Sequence, residues 1–247
     1  MRTFVTMTRI ETALVLRQPA ALCFILALPL LLLALNGAGG GGEPLEQFGG
    51  ARLVDVLVPG LLLAMCTSGL MQLPETLAGY RERGFLRRLK VSPLRPWQIL
   101  EAHAATHLAI ALLAIVLLVG VGTLAFDLSA PAAWGATVAA ITLSAGMVIA
   151  VGFLLAAVAP TVRTTQAIGA AIYFPAIFIS GVVIPAEALP ELAQRVAQAL
   201  PFTYAVRAIR EAWTAGAVDV VALAALAATV AITVSVGVST FRWETRY

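Results

Sequence analysis

The chain has 247 residues, of which 60% are hydrophobic and 12% are charged, and its formal net charge is +3. This composition excludes an ordinary soluble domain, in which about a quarter of the residues are charged. It predicts an all-α polytopic membrane protein. The few basic residues are accounted for by membrane topology. No DNA- or RNA-binding motif is present, so we expect no nucleic acid among the partners.

The first predicted elements are an interfacial helix and a membrane span. Residues 1–19 carry three arginines, with apolar residues spaced along one helical face, which is typical of a helix lying on a membrane surface. Residues 20–36 form an apolar run that is too long for the hydrophobic region of most signal peptides. We predict that this run is an uncleaved first span, TM1. A glycine-rich, acidic loop follows over residues 37–50.

A second span, TM2, is predicted over residues 53–73. Asp55 lies near its outer end, where a carboxylate either reaches the lipid headgroups or contributes to substrate binding, and both interpretations stay open. The two cysteines, Cys23 and Cys66, fall within TM1 and TM2. They behave there as small apolar residues, so no disulfide is expected.

The most strongly charged segment, residues 75–98, separates TM2 from the next apolar run. It contains six of the 16 Lys and Arg residues: Arg81, Arg83, Arg87, Arg88, Lys90 and Arg95. The positive-inside rule places this segment in the cytoplasm, and apolar residues at roughly helical spacing predict an amphipathic helix. Such a helix either lies on anionic headgroups or binds a cytoplasmic partner.

Four spans and one amphipathic segment complete the chain. TM3, TM4 and TM5 are predicted over residues 99–126, 134–159 and 164–184, and TM6 over residues 218–239. Each is long enough to cross a bilayer. Between TM5 and TM6, residues 185–210 have an amphipathic pattern bounded by prolines, and this segment is too short and too polar to span.

Two further patterns bear on the arrangement of the six spans. Gly146 with Ala150, and Gly152 with Ala156, are spaced by four residues within TM4, which predicts close packing against a neighbouring helix. With both termini and the 2–3 and 4–5 loops inside, twelve Lys and Arg residues lie inside and four lie outside. This asymmetry predicts a multi-pass protein with both termini cytoplasmic, and we expect it in the plasma membrane, the bacterial inner membrane.

Two segments resemble the signatures of one transporter family. The first comprises Arg81, Glu82, Gly84, Leu86, Leu89, Ser92 and Pro93, with Phe85 where the family has a small hydroxyl residue. The second comprises Ser180, Gly181, Pro185, Pro190, Pro201 and Tyr204. In order and spacing, both segments resemble the permease, or transmembrane, subunits of type-2 ATP-binding-cassette exporters, including drug and antibiotic exporters.

The resemblance implies that residues 75–98 form a coupling helix, which docks into a separate cytosolic ATPase, and that an outer re-entrant helical hairpin lies between TM5 and TM6. It also implies two permease copies, as a homodimer or heterodimer, and export of an amphiphilic substrate such as a drug, an antibiotic or a lipid-linked molecule. The single lysine, Lys90, follows no glycine-rich phosphate-binding loop. We therefore expect ATP and Mg²⁺ on the partner, and no cofactor or catalytic residue on this chain.

Two other classes of protein remain as alternatives. His103 and His107 are spaced by four and would share one face of TM3, so an intramembrane zinc hydrolase with Glu101 as its base is one alternative. An interfacial or interhelical role is the other interpretation of the pair, and we expect no metal. A secondary transporter is the second class, but it would be expected to carry ionisable residues in mid-membrane. The central parts of the six predicted spans carry no Asp, Glu, Lys or Arg.

Overall fold

The fold is known from a computed structural model, which describes residues 13, 27–38, 53–66, 68–84, 96–180 and 189–240. These residues form helices and short connections, and no strand occurs among them. The predicted interfacial helix over residues 1–19, apart from residue 13, and the glycine-rich loop, apart from its first two residues, lie outside the described part of the chain.

Nine α-helices and one π-helix are formed by the described residues. They are α1 (Leu28–Ala38), α2 (Leu53–Cys66), α3 (Ser68–Glu82), α4 (Pro96–Phe126), α5 (Trp134–Val158), α6 (Val162–Ile179), α7 (Glu191–Ala197), α8 (Pro201–Arg210), the π-helix (Glu211–Ala215) and α9 (Val220–Thr240).

Four helices of the described chain are long and apolar enough to cross a membrane. The qualifying stretches are Ala104–Phe126, Trp134–Val158, Val162–Ile179 and Val220–Thr240. They fall on the predicted TM3, TM4, TM5 and TM6. Of the predicted TM1 and TM2, the structure describes the 11-residue α1, the 14-residue α2 and the beginning of α3.

The charged segment differs from the prediction of one helix over residues 75–98. Helix α3 begins at Ser68, continues into the charged segment and ends at Glu82, and Arg83 and Gly84 form a turn. Residues 85–95 lie outside the described residues, and α4 begins at Pro96. The first part of the charged segment is therefore an extension of the preceding helix.

Helix α5 lies at the centre of the helix bundle. It packs most extensively against α9 and α3, and α8 packs against both α9 and α5. Leu62, Leu118, Met147 and Leu226 have no exposed surface in the resulting core. Between helices in lipid, such contacts stabilise the fold through close packing, because the lipid chains are as apolar as the side chains.

A tight contact between α5 and α9 occurs at a glycine that the sequence pattern did not single out. A Cβ atom placed on Gly237 would lie 2.8 Å from two ring carbons of Phe153. Of the small residues predicted to pack closely, Ala150, Gly152 and Ala156 are buried, whereas a Cβ atom on Gly146 would meet nothing within 4 Å. Close packing of TM4 is therefore found toward the C-terminal end of α5.

Large apolar side chains cover the outer faces of α4 and α9. Val116 and Leu124 on α4, and Val221, Ile232 and Val238 on α9, are all exposed. Exposed apolar faces of this kind suit contact with lipid or with another apolar helix, because a helix satisfies its own backbone hydrogen bonds.

Different interhelical connections lie at the two ends of the bundle. The end of α3 meets the connection between α5 and α6, since Arg81 bonds the carbonyl oxygen of Ala159. At the other end of α5, the amide of Ala132 donates to the carbonyl oxygen of Trp213 at 2.9 Å. The end of α3 and the α5–α6 connection thus lie at one end of the bundle, and the α4–α5 connection and the π-helix lie at the other.

Candidate coupling site at the end of α3

The first two residues of the family-like signature contact other helices of the same chain. Arg81 is only 6% exposed. Its Nη1 atom donates to the carbonyl oxygen of Ala159 and its Nη2 atom to that of Ala156, both at 2.9 Å. These two carbonyls form the end of α5, so the guanidinium group caps a helix that lies more than seventy residues further along the sequence.

Pro160 explains why α5 needs this donor. In a continuing helix the carbonyl of Ala156 would accept from the amide four residues later, but that residue is Pro160, which has no N–H. The carbonyl of Ala159, the residue that follows α5, belongs to the group of helix-end carbonyls that have no intrahelical partner. The planar, charged fork of an arginine satisfies both carbonyls and is also favourable at the negative end of the helix dipole.

Burial has an electrostatic cost for this side chain. Removal from solvent lowers the pKa of Arg81, which lies beyond the predicted second span. A guanidinium group nevertheless stays protonated in proteins. The positive charge is therefore held permanently against the end of α5.

Glu82 makes the complementary contact with α6. Its Oε1 atom accepts from the amide of Val162 at 2.9 Å, and Val162 is the first residue of α6. The hydroxyl of Thr161 accepts from the amide of Thr164, so two of the otherwise unpaired amides at this helix start have acceptors. A carboxylate is favourable here because the start of a helix carries a partial positive charge.

One face of α3 continues this contact along α6. The amide Nε2 of Gln166 donates to Oε1 of Glu75 at 3.1 Å. A Cβ atom on Gly79 would lie 3.7 Å from Cγ2 of Val162, which is ordinary van der Waals contact. Glu75, Gly79 and Glu82 follow the spacing of four and three that places residues on one helical face. The two helices are therefore joined over at least two turns.

Gly84 ends α3 by its backbone conformation. Its φ angle is +66°, in the left-handed region that glycine adopts without strain, and its amide donates to the carbonyl oxygen of Arg81 at 3.1 Å. A Cβ atom on Gly84 would meet nothing within 4 Å. Within this chain, the glycine serves to end the helix. The other predicted coupling residues lie outside the described residues: Phe85, Leu86, Leu89, Ser92 and Pro93.

The second family-like segment lies at the opposite end of the bundle. Ser180 is buried after α6, and its hydroxyl donates to the carbonyl oxygen of Ala176. Pro190 directly precedes α7 and Pro201 is the first residue of α8, a position that suits proline because no amide is needed there. The hydroxyl of Tyr204 donates to the carbonyl oxygen of Gln198 at 2.9 Å and links the two helices. Gly181 and Pro185 lie outside the described residues.

An ion pair that was not predicted joins this segment to α9. Nη2 of Arg207 lies 2.7 Å from Oδ2 of Asp219, and the guanidinium carbon lies 5.7 Å from the centre of the Tyr204 ring. Oδ1 of Asp219 accepts from the amide of Ala222 in the first turn of α9. An aspartate directly before an apolar run is a helix-start signal, so the sequence could have identified this cap.

The structure brings no metal site together among the residues it describes. His107 is buried in α4, but the side chains of His103 and Glu101 lie outside the described part, as does that of Asp55 in α2. The described residues contain no group of three or more His, Cys, Asp or Glu side chains that could hold a metal ion.

Comparison with known proteins identifies the family. A family described as the ABC-2 type transporter matches residues 2–213, which is most of the chain and includes both signature segments. A comparison with curated proteins gives no significant match. Because the family match extends over far more than half of an all-helical membrane protein, the chain belongs to the ABC-2 type transporter family and is a permease component of an ABC transporter.

Proposed function

We propose that this permease is half of an ATP-driven exporter and that a separate cytosolic ATPase subunit engages it at the end of α3. Two permease copies, identical or different, would form the transport path across the bacterial inner membrane. Residues 75–98 and both termini would then face the cytoplasm. ABC-2 permeases normally work with an ATPase subunit, which is consistent with the absence of a phosphate-binding loop from the whole sequence. ATP and Mg²⁺ would be bound by that partner.

The observation that carries the proposal is the way in which α3 ends. Arg81 and Glu82 tie this helix to the ends of α5 and α6, and the basic segment follows immediately after Gly84. A partner that binds the basic segment would therefore act on three helices at once. A helix that only rests on lipid headgroups would not require these connections.

Six spans follow if the apolar residues around α1 and those of α2 and α3 cross the membrane in addition to the four helices that qualify by length. The short helices α7 and α8 have 7 and 10 residues, too few to cross a bilayer. They follow α6 at the end of the bundle that also holds the 3–4 connection, which supports an outer re-entrant hairpin.

The described spans favour export of an amphiphile over ion-coupled transport. Within the four stretches that qualify as spans, the only charged residue is Arg163, next to the start of α6. Secondary transporters use ionisable groups in mid-membrane to couple ions to substrate movement. Apolar walls with scattered hydroxyl groups suit a hydrophobic drug, an antibiotic or a lipid-linked molecule.

The test is association and ATP hydrolysis with the cassette ATPase of the same gene cluster. The full-length permease in lipid nanodiscs should bind this ATPase at micromolar or lower concentration. A double variant, Leu86→Glu with Leu89→Glu, should weaken binding by at least about tenfold, since charged residues are unfavourable in an apolar docking surface. Leu192→Glu is the matched control, because Leu192 is exposed at the opposite end of the bundle. Equal binding by all three proteins would contradict the proposal.

A further inference from the structure

The α5–α6 turn, residues 159–161, is held from both sides by two consecutive residues of α3. Arg81 binds the two carbonyls at the end of α5, and Glu82 binds the first amide of α6. The positive side chain meets the negative end of one helix and the negative side chain meets the positive end of the next. This arrangement accounts for the order of the two residues.

We infer that Arg81 and Glu82 are positioning residues that join α3 and the α5–α6 turn into one coupling unit, and that they do not form the ATPase contact themselves. The inference deepens the proposed function and rests on it. It assigns the α5–α6 turn, which lies about eighty residues away in the sequence, to the apparatus that transmits ATPase movement.

The burial and bonding of Arg81 argue against a direct contact with the ATPase. The side chain is 6% exposed, and its two terminal nitrogens each lie 2.9 Å from a carbonyl oxygen. To reach a partner surface, the guanidinium would have to leave both carbonyls, and Pro160 supplies no replacement donor. Arg83 is only two residues away and is exposed, so it is the better placed of the two arginines to meet a partner.

The contacts along α3 and α6 argue that the unit moves as one body. Glu75 and Gly79 extend the contact beyond Glu82, opposite Gln166 and Val162. The left-handed turn at Gly84 follows directly after this contact region. Force applied to the residues after Gly84 would therefore enter a packed group of three helix ends, and α5 and α6 would be displaced together with α3.

A reversible cross-link tests whether α3 and α6 stay together. In a background with Cys23→Ala and Cys66→Ala, the pair Gly79→Cys and Val162→Cys introduces thiols at two positions in contact, since a Cβ atom on Gly79 would lie 3.7 Å from Cγ2 of Val162. The readouts are ATP hydrolysis by the permease–ATPase complex in vesicles and hydrogen exchange of residues 156–166, each with and without ATP and vanadate. The reduced protein is its own control.

We expect oxidation to change ATP hydrolysis by less than about twofold, and the nucleotide-dependent change in hydrogen exchange to persist, because the linked residues do not separate. The inference would be overturned if oxidation abolished ATP hydrolysis or the nucleotide-dependent change in hydrogen exchange, and if reduction restored it. It would show that α3 and α6 must part during the cycle.

Matched substitutions test which arginine acts through the turn. Arg81→Met and Arg83→Met remove the same charge two residues apart, so any effect of charge on topology is shared. Arg81→Met should increase hydrogen exchange over residues 156–166. It should also reduce the nucleotide-dependent change in that exchange by about tenfold, while the affinity for the ATPase stays within about twofold. Arg83→Met should leave exchange in that region unchanged. Glu82→Ala, which removes one exposed contact, should show the Arg81→Met pattern in milder form.

The outcomes separate the two proposals. If Arg81→Met weakens ATPase binding by about tenfold or more and leaves exchange over residues 156–166 unchanged, Arg81 is a direct contact and the positioning role is contradicted. If the unmodified permease binds no cassette ATPase, the proposed function itself is contradicted. The exchange comparison on the permease alone still decides whether Arg81 holds the turn.

Discussion

The two ends of the helix bundle are stabilised in different ways. At the end that holds α3, the connections are made between residues 75 to 91 positions apart, as in the contacts of Arg81 and of Glu75. At the other end one backbone bond, from Ala132 to Trp213, is also long-range, but the side-chain contacts are local: Tyr204 binds a carbonyl six residues away and Arg207 binds Asp219 twelve residues away. The first end depends on the whole fold, whereas the second contains a locally bonded segment. We expect the structural effects of a substitution to spread to other helices at the first end and to stay within the segment at the second.

The largest effect is expected for Arg81→Met. It leaves the carbonyls of Ala156 and Ala159 without their side-chain donor and should lower the free energy of unfolding by roughly 2–5 kcal/mol, since each unpaired buried polar group costs about 1–3 kcal/mol. Thermal unfolding of the purified protein in detergent measures this. Arg83→Met is the exposed control and should fall within about 0.5 kcal/mol of the unmodified protein. Equal unfolding temperatures for the two variants would contradict the claim that Arg81 stabilises the contact between distant helices at this end.

Packing in the interior of the bundle is tested by two glycine substitutions with opposite expected signs. Gly237→Ala forces a methyl group toward the ring of Phe153 and should cost about 1–3 kcal/mol. Gly146→Ala meets no neighbouring atom within 4 Å and should stabilise its helix by up to about 1 kcal/mol. The two unfolding temperatures should therefore move in opposite directions, and a shift of both in the same direction would contradict the packing described for α5 and α9.

Gly84 is tested by comparing asparagine with leucine. At a φ angle of +66°, leucine is expected to cost about 1–2 kcal/mol, whereas asparagine adopts this region more readily. If the glycine serves only to end α3, Gly84→Asn should retain ATPase binding and Gly84→Leu should lose stability. Loss of ATPase binding in Gly84→Asn without loss of stability would show instead that the glycine allows close approach of the partner. Binding affinity and unfolding temperature together separate these cases.

The smallest effect is expected at the opposite end. The side chains of Arg207 and Asp219 are 49% and 11% exposed in this pair, and ion pairs that stay open to solvent on one side contribute roughly 1 kcal/mol or less. Asp219→Ser keeps a side-chain acceptor for the amide of Ala222 but removes the ion pair, so it should lower stability only slightly. The difference should disappear in high salt because ions screen exposed charges. A loss as large as that of Arg81→Met would mean that this segment is not locally stabilised.

The sequence predicted the apolar spans well, because the length and hydropathy of TM3 to TM6 are local properties. It also pointed to Arg81 and Glu82, but through their place in a basic segment that was expected to face a partner. Their contacts with α5 and α6 depend on how three distant helices meet, which no local pattern reports. Pro160 was the available signal, since it leaves the carbonyl of Ala156 without an amide donor.

The close approach at Gly237 was missed for a similar reason. The rule of small residues spaced by four singled out three residues that are buried, together with Gly146, where an added Cβ would meet nothing within 4 Å, but it could not identify the helix that would lie opposite. The tight contact instead arises where the Phe153 ring lies against a single glycine of α9. Spacing within one helix predicts a surface that permits close packing, and the partner helix determines where that packing occurs.

The most direct test of the central claim is hydrogen exchange of the assembled permease–ATPase complex, measured without nucleotide and with ATP and vanadate. If the ATPase drives this permease through the end of α3, exchange should change on nucleotide binding in peptides covering residues 75–84 and in peptides covering residues 156–166. Residues 201–219, at the opposite end of the bundle, serve as an internal comparison. A nucleotide-dependent change confined to residues 75–84, with residues 156–166 unaltered, would contradict the account.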